Sequence, residues 1–323
     1  MEKRSSPKIY FAPLQESTDH IYRSAHARFF GGIDKYFAPY IVRQNEGIVK
    51  NSHLRDIKPE NNHQNPVIPQ ILAGNSGDFI FLAKLLQENG YDEINWNLGC
   101  PYSMVTNKGL GSGLLPYPEK IQSILEESLP NIQSKVSVKM RMGLESAAEI
   151  IQVIDVLNDF PLTELILHPR IARQLYKGVP DEAIFNEVQK RAKHPLVYNG
   201  DIDTPETFNR LNELFNETGT WMIGRGILKN PFLPILIKTG SIPEKKEAAE
   251  RMRNFHDEIL LGHSKVLNGN SHLLMKMEKF WSFFCFAFPD PHKTFKRIKK
   301  AANITKYDLA VIENFHYLRD QIS

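Results

Sequence analysis

Eight short runs rich in β-branched and other apolar residues recur between Ile9 and Gly224, at intervals too long for hairpins. They cover residues 9–14, 36–42, 66–72, 93–98, 136–142, 164–168, 195–199 and 221–224. Apolar residues three and four apart fill most of the gaps, most clearly over 76–89, 118–127, 146–158, 182–192 and 205–215, and predict helices there. The stretch between the second and third runs, ending NSHLRDIKPENNHQNP, is polar and predicts a loop with a short helix. Repeated βα units of this kind give a parallel sheet, which can stay open or close into a barrel. Uncommon residues stand where successive runs end: Pro13, Gln70, Asn97, Lys139, His168, Asn199 and Gly224. A (β/α)8 TIM barrel gathers all those ends on one face, whereas an open sheet scatters some of them, so the pattern predicts the barrel.

After Pro231 and Pro234 the pattern turns to helices alone, expected over 244–265, 271–286, 291–301 and 305–322, with Gly269, Pro289 and Pro291 punctuating the turns. A chain of 323 residues suits one barrel of roughly 250 residues and a small addition, so the expected domains are 1–240 and an all-helical 241–323. Charge divides the same way. From Ser241 onward 14 Lys and Arg oppose 10 Asp and Glu; taking that +4 from the whole chain's +3 leaves −1 for the rest. The basic excess therefore belongs to the tail, where Lys293, Lys296, Arg297, Lys299 and Lys300 follow one another without an acid between. A solvated helix face and a phosphate-contacting one both fit such a run.

No apolar run approaches the ~18 residues of a membrane span, and MEKRSSPKIYFAPL lacks an apolar signal-peptide core, so a soluble, cytoplasmic, non-membrane protein is expected. Two cysteines do not make a disulfide framework. Cys285, among Trp281, Phe283, Phe284 and Phe286, reads as a core thiol.

Cys100 stands differently. In EINWNLGCPYSMVTNKGLGSGLL, residues 93–115, a strand ends at Asn97, Gly99 frees the backbone, and Cys100 follows just beyond, before Pro101 and Gly109, Gly111 and Gly113. An accessible thiol there can act as nucleophile, metal ligand or proton donor, or be merely structural. No Cys or His lies at ligand spacing from it, so no metal site is expected. Asn199-Gly200-Asp201 and Gly224-Arg225-Gly226 end the seventh and eighth runs, where barrels hold phosphate on backbone N–H groups. No G-x-G-x-x-G follows the first run, so no dinucleotide-binding fingerprint is present there.

Taken together these motifs resemble the tRNA-dihydrouridine synthases over nearly the whole chain. The family's Asn-x-Gly-Cys-Pro turn with a following Val and paired glycines is matched by Asn97, Gly99, Cys100, Pro101, Val105, Gly109 and Gly111. Its Ala-Pro-Met…Thr-Asp start appears as Ala12, Pro13, Leu14, Thr18 and Asp19, with Leu14 replacing Met. Lys139 and Arg141, His168 and Arg170, and Tyr176 and Gly178 match three further family patterns. Tyr102 and Ser103 depart from the commoner Ser-Lys.

The resemblance implies a flavoprotein that binds FMN tightly through Ala12, Pro13, Leu14, Gln70, Lys139, His168, Asn199, Gly200, Asp201, Gly224 and Arg225. It implies reduction by NADPH, uridine in tRNA as substrate, and Cys100 as general acid toward C5 of uracil; a thiol of ordinary acidity, pKa about 8.5, keeps its proton at neutral pH. Asn97, Arg141 and Tyr176 are then candidates for holding the uracil, and Lys293, Lys296, Arg297 and Lys300 for gripping RNA phosphates. The expected state is a monomer with no protein partner. Two rivals share much of the pattern: a flavin oxidoreductase of a free pyrimidine, like dihydroorotate dehydrogenase, has no use for the helical tail. A catalytically silent RNA-binding protein has no use for Cys100 and Lys139.

Overall fold

The computed structural model describes residues 6–44, 47, 49–62 and 65–320. Nine parallel strands form one sheet: β1 (Lys8–Phe11), β2 (Lys35–Phe37), β3 (Val67–Ile68), β4 (Gln70–Ile71), β5 (Glu93–Leu98), β6 (Lys135–Gly143), β7 (Leu165–Ile171), β8 (Leu196–Asn199) and β9 (Thr220–Ile223). Their order, β3-β2-β1-β9-β8-β7-β6-β5-β4, returns to its starting point, because β3 and β4 are two halves of one extended segment. In the sequence the third run reads as a single strand. Pro69 interrupts it by removing a backbone donor: β3 pairs with β2 on one side of the break, and β4 pairs with β5 on the other. An isolated bridge between Ile41 and Ile71 completes the seam, so the eight expected units close as a barrel.

Inside the barrel, Tyr10, Ala12, Phe37, Ile68, Ile166, Val197 and Met222 form an apolar cluster, as strand alternation requires. The predicted helices form over Ser76–Glu88, Pro118–Ser128, Glu149–Leu157, Glu182–Arg191 and Pro205–Leu214, and Asn51–Ile57 is the short helix before the third run. A further helix, His20–Phe29, is not expected from the sequence; two of its buried side chains, Arg23 and His26, are polar. Arg23 is tolerated there by Asp56 Oδ2 at 3.1 Å, the Thr18 carbonyl at 2.7 Å and Asn62 Oδ1 at 2.8 Å.

Beyond Gly240, helices occupy Lys245–Val266, Asn270–Phe284, Pro291–Lys299 and Ile304–Asp320; the expected end of the last, Ile322, lies outside the described residues. Trp281 Nε1 donates to Tyr307 Oη at 2.9 Å, so the phenol hydrogen is left for His256 Nε2 at 2.7 Å, and this polar core of the tail is satisfied. Cys285 is buried beside it, and burial pushes its thiol up to about 11, in keeping with a structural role.

The tail is packed onto the barrel. Tyr22 and Phe30 both meet the Phe255 ring, with centroids 5.3 and 4.9 Å apart. Fully burying such a ring contributes roughly 1.5–3 kcal/mol. Nearer the barrel mouth, Lys276 Nζ reaches Asp19 Oδ2 at 2.7 Å and the Glu16 carbonyl at 2.5 Å, while Lys279 pairs with the Glu16 carboxylate. Among the described residues no helix is long and apolar enough to cross a membrane.

Candidate active site

A cavity of about 370 Å³ opens where the strands end, lined by Gln70, Asn97, Cys100, Lys139, Arg141, His168, Tyr176 and Arg225 among others. A narrower chamber of about 60 Å³ adjoins it over the loops that follow β8 and β9. Pro13, Leu14, Lys139, His168, Tyr176 and Arg225 line both, so the two are one elongated site. Every cofactor position expected from the sequence lines one chamber or the other. The helix Asn270–Phe284 also contributes: Lys279 and Phe283 stand in the wall of the larger chamber, a role for the tail that its periodicity does not disclose.

Cys100 is held by its backbone. Asn97 Oδ1 accepts from the Cys100 N–H at 2.9 Å and from Gly99 N–H at 3.0 Å, and Ser112 Oγ donates to the Cys100 carbonyl at 2.8 Å. Gly111, at φ +56°, presses against it; a Cβ there would lie 2.9 Å from Cys100 Cβ. The expected accessibility of the thiol needs correcting: Cys100 is only 6% exposed, and it meets the cavity rather than the outer surface.

Asn97 is likewise not free to hold a substrate with its whole amide. Its Nδ2 donates to Gln70 Oε1 at 2.6 Å, Gln70 Nε2 donates to Asn95 Oδ1 at 2.7 Å, and Asn95 Nδ2 reaches Ser137 Oγ at 2.9 Å. A buried polar chain therefore runs from the barrel interior to the Cys100 turn. The sequence does not mark Asn95 and Ser137, because inward polar residues on a strand look like ordinary alternation.

Arg141, 2% exposed, donates to the carbonyls of Ile171 at 3.0 Å and Leu175 at 2.6 Å, which fixes the loop carrying Tyr176. The Arg225 guanidinium lies 4.2 Å from the centroid of the Tyr176 ring, within cation–π range. Arg225 also binds Asp201 Oδ1 at 2.6 Å, and the same carboxylate pairs with the wholly buried Arg170. Asp201 thus orients two guanidiniums and can offer a phosphate only its backbone. Asn199 Nδ2 donates to the Met222 carbonyl at 2.8 Å, tying β8 to β9. Gly226 lets the loops after β8 and β9 meet: a Cβ there would stand 2.0 Å from the Ile202 carbonyl.

The electrostatics of the site are one-sided. Lys139, Arg141, Arg170 and Arg225 stand around Asp201; the other lining carboxylate, Asp203, is paired with Lys229, and among the described residues Lys139 has no ion-pair or hydrogen-bond partner. Burial, and then the neighbouring Arg141, bring the Lys139 ammonium down to about 7. Burial and the surrounding cations hold His168 well below the usual imidazole range, so the ring is neutral. Its Nε2 lies 3.2 Å from Arg170 Nη1, which can only donate; the ring proton is therefore on Nδ1. Arg170 Nε is buried without a partner. A surplus of buried and half-buried positive charge, with glycine-flanked amides beside it, is the chemistry of a site for a phosphate-bearing anionic cofactor, and FMN fits it.

The basic tail residues lie elsewhere. Lys293, Lys296, Lys299 and Lys300 are exposed around the helix Pro291–Lys299, which buries Thr294 and Ile298. Arg297 departs from its expected role as a free phosphate contact. Its Nη1 donates to Asn314 Oδ1 at 3.0 Å and its Nε lies 3.3 Å from Glu313 Oε2, so it fastens this helix to the next.

Fold and site together define a parallel α/β barrel with an anion-binding cofactor site at its C-terminal mouth and a buried cysteine in the cavity wall. The chain belongs to the dihydrouridine synthase (Dus) family, whose model matches residues 10–307. Among similar proteins are tRNA-dihydrouridine synthase B of Vibrio vulnificus, 27% identical over 70% of this chain and 69% of that one. The tRNA-dihydrouridine(16) synthase of Haemophilus ducreyi is 28% identical over 73% and 74%. The probable tRNA-dihydrouridine synthase 1 of Synechocystis is 26% identical over 87% and 79%. Among solved structures, the old yellow enzyme homologue of Zymomonas mobilis superposes with a TM-score of 0.54, at 14% identity over 73% of this chain and 89% of that one, a likeness of fold.

Proposed function

We propose that this protein is a tRNA-dihydrouridine synthase: it reduces the C5–C6 double bond of uridines in tRNA, with FMN bound in the barrel and NADPH as the reductant. Family membership and the activity for which its relatives are named support the reaction. The observation that carries it is the presence in one cavity of a backbone-clamped thiol, Cys100, and a half-buried ammonium, Lys139, without a partner among the described residues. When bound, FMN supplies the hydride delivered to C6 of uracil.

The chain's own residues do the rest. Lys139 provides positive charge where a reduced flavin is anionic, and the low polarity around it strengthens that interaction. Arg225, aimed by Asp201, and the backbone of Gly200, Asp201 and Gly224 hold the phosphate, while Ala12, Pro13, Leu14 and neutral His168 pack beside the cofactor. Gln70, fixed between Asn95 and Asn97, offers a hydrogen bond to the flavin edge. Cys100 gives its proton to C5 as general acid. Tyr176, steadied by Arg141, stands at the mouth of the cavity as a wall for the uracil ring, and Asn97 keeps the thiol in place.

A uridine in folded RNA must leave its stack to reach this depth, and that requires a grip on the remaining RNA. Residues 1–240 serve as the catalytic domain and 241–323 as the RNA-gripping one, with Lys293, Lys296 and Lys300 on phosphates. One chain brings together cofactor site, thiol and basic helix, which supports action as a monomer; its substrate class supports a cytoplasmic location. Lys279 and Phe283 in the cavity wall tie the tail to the active site, which favours tRNA over a free pyrimidine. The experiment is a comparison of dihydrouridine formed on transcribed tRNA and on free uridine, with NADPH. Turnover of tRNA alone is expected; equal turnover of free uridine would overturn the assignment of substrate.

A further inference from the structure

Among the described residues, Cys100 Sγ has one side-chain hydrogen-bond neighbour. Tyr40, just beyond β2, brings its hydroxyl to 3.8 Å from Cys100 Sγ, and both residues line the large chamber. Tyr40 is itself held in place, since Gln15 Nε2 donates to its carbonyl at 3.3 Å. Elsewhere around the sulfur the wall is apolar, with Leu72 and Val105 packed against Cys100. The charged and titratable groups near it are Lys139 and Arg141 from β6, Tyr102 from its own loop and Tyr176 from the loop after β7. Among the described residues none of these four hydrogen-bonds the sulfur; Tyr40 does.

We propose that Tyr40 is a positioning residue for the proton transfer: its hydroxyl donates a hydrogen bond to the Cys100 sulfur, orients the thiol toward the cavity and stabilises the thiolate that remains. In that transfer the S–H bond breaks, its electron pair stays on sulfur, the proton joins C5 of uracil, and the thiolate takes its next proton from water. A thiolate among apolar side chains is costly, and a charge-assisted hydrogen bond offsets part of that cost. Burial, and then Cys100, push the Tyr40 hydroxyl up to about 12, so it stays protonated and remains a donor through neutral pH. Nothing in the sequence marks this tyrosine, which sits in irregular backbone among other apolar residues.

The inference rests on Cys100 being the proton donor, but its first readout does not require turnover. The test uses the full-length flavin-loaded protein and its Tyr40→Phe variant, with iodoacetamide alkylation of Cys100 followed by peptide mapping from neutral to strongly alkaline pH. Mapping separates Cys100 from Cys285. Loss of the hydroxyl is expected to lower alkylation roughly tenfold near pH 7 while leaving the alkaline limiting rate unchanged, because the thiolate is destabilised and access is not. Flavin content and flavin reduction by NADPH should match wild type, and dihydrouridine formation should fall about tenfold. Three results would overturn the proposal: an unchanged neutral rate, an equal fall at both ends of the pH range, or a flavin-depleted variant, which would make Tyr40 a scaffold residue. Failure of the wild-type protein to make dihydrouridine would instead count against the reaction itself.

Discussion

Asn97 grips Cys100 by its backbone N–H, at 2.9 Å, and leaves the thiol to face the cavity beside Tyr40. The residue that the sequence suggests as a uracil contact thus has a prior task. Asn97→Ala would strip acceptors from two amides and leave the Gln70 carbonyl oxygen without its donor. Such losses cost about 1–3 kcal/mol each where the group stays buried. We expect a lower melting temperature and a large fall in kcat with little change in flavin content. A variant of wild-type stability whose KM alone rises would return Asn97 to the role of substrate contact.

Arg225 sits between Asp201 and Tyr176 above the narrow chamber. Arg225→Ala should weaken FMN binding by about 1.5–3 kcal/mol, or roughly 10- to 150-fold, because it removes a charge-assisted hydrogen bond to the phosphate. Flavin fluorescence titration measures this. An unchanged dissociation constant would move the phosphate away from the β8 and β9 loops.

The Lys139 ammonium, brought down to about 7, makes cofactor affinity depend on pH. The anionic reduced flavin beside it favours the charged form, so binding of reduced FMN takes up a proton as pH rises through 7, and that affinity should decline from pH 7 to 9 in wild type. Lys139→Gln should bind more weakly at pH 7 and lose most of that decline. The stability of the flavin-free protein moves oppositely. The folded pKa lies below the unfolded value, so the unfolded chain binds more protons between about 7 and 10.5, and this lysine adds stability as pH rises through that window. Affinity that is flat across pH 7–9 would contradict the assignment.

In the tail, lysines and arginine should separate. Replacing Lys293, Lys296 and Lys300 together by Gln should flatten the log–log salt dependence of tRNA binding, by about 0.7–0.9 for each phosphate no longer neutralised, without moving the melting temperature. Arg297→Gln should do the reverse, because it breaks the links to Asn314 and Glu313. A triple variant with wild-type affinity and slope would mean that this helix face is only solvated.

Much of the barrel is legible in the sequence because its strands are apolar on both faces and their ends are not: Gln70, Asn97, Lys139, His168 and Asn199 stand where strands run out and converge on one cavity. The helix His20–Phe29 is hidden because Arg23 and His26 put polar residues on its buried face. The break at Pro69 depends on which neighbour each half pairs with, and that is a property of the closed sheet. Asn95, Ser137 and Tyr40 act through contacts across strands and loops, and Lys279 and Phe283 through domain packing, so spacing along the chain carries no trace of them.

The proposed mechanism centres on Cys100 as the proton donor, with other residues holding the cofactor. Cys100→Ala should keep its flavin content and the rate at which NADPH bleaches the flavin absorbance. Dihydrouridine formed on transcribed tRNA should fall by roughly 10²-fold or more, the size expected when a general acid is removed. Parallel depletion of bound flavin, or dihydrouridine formation within a few-fold of wild type, would contradict the account.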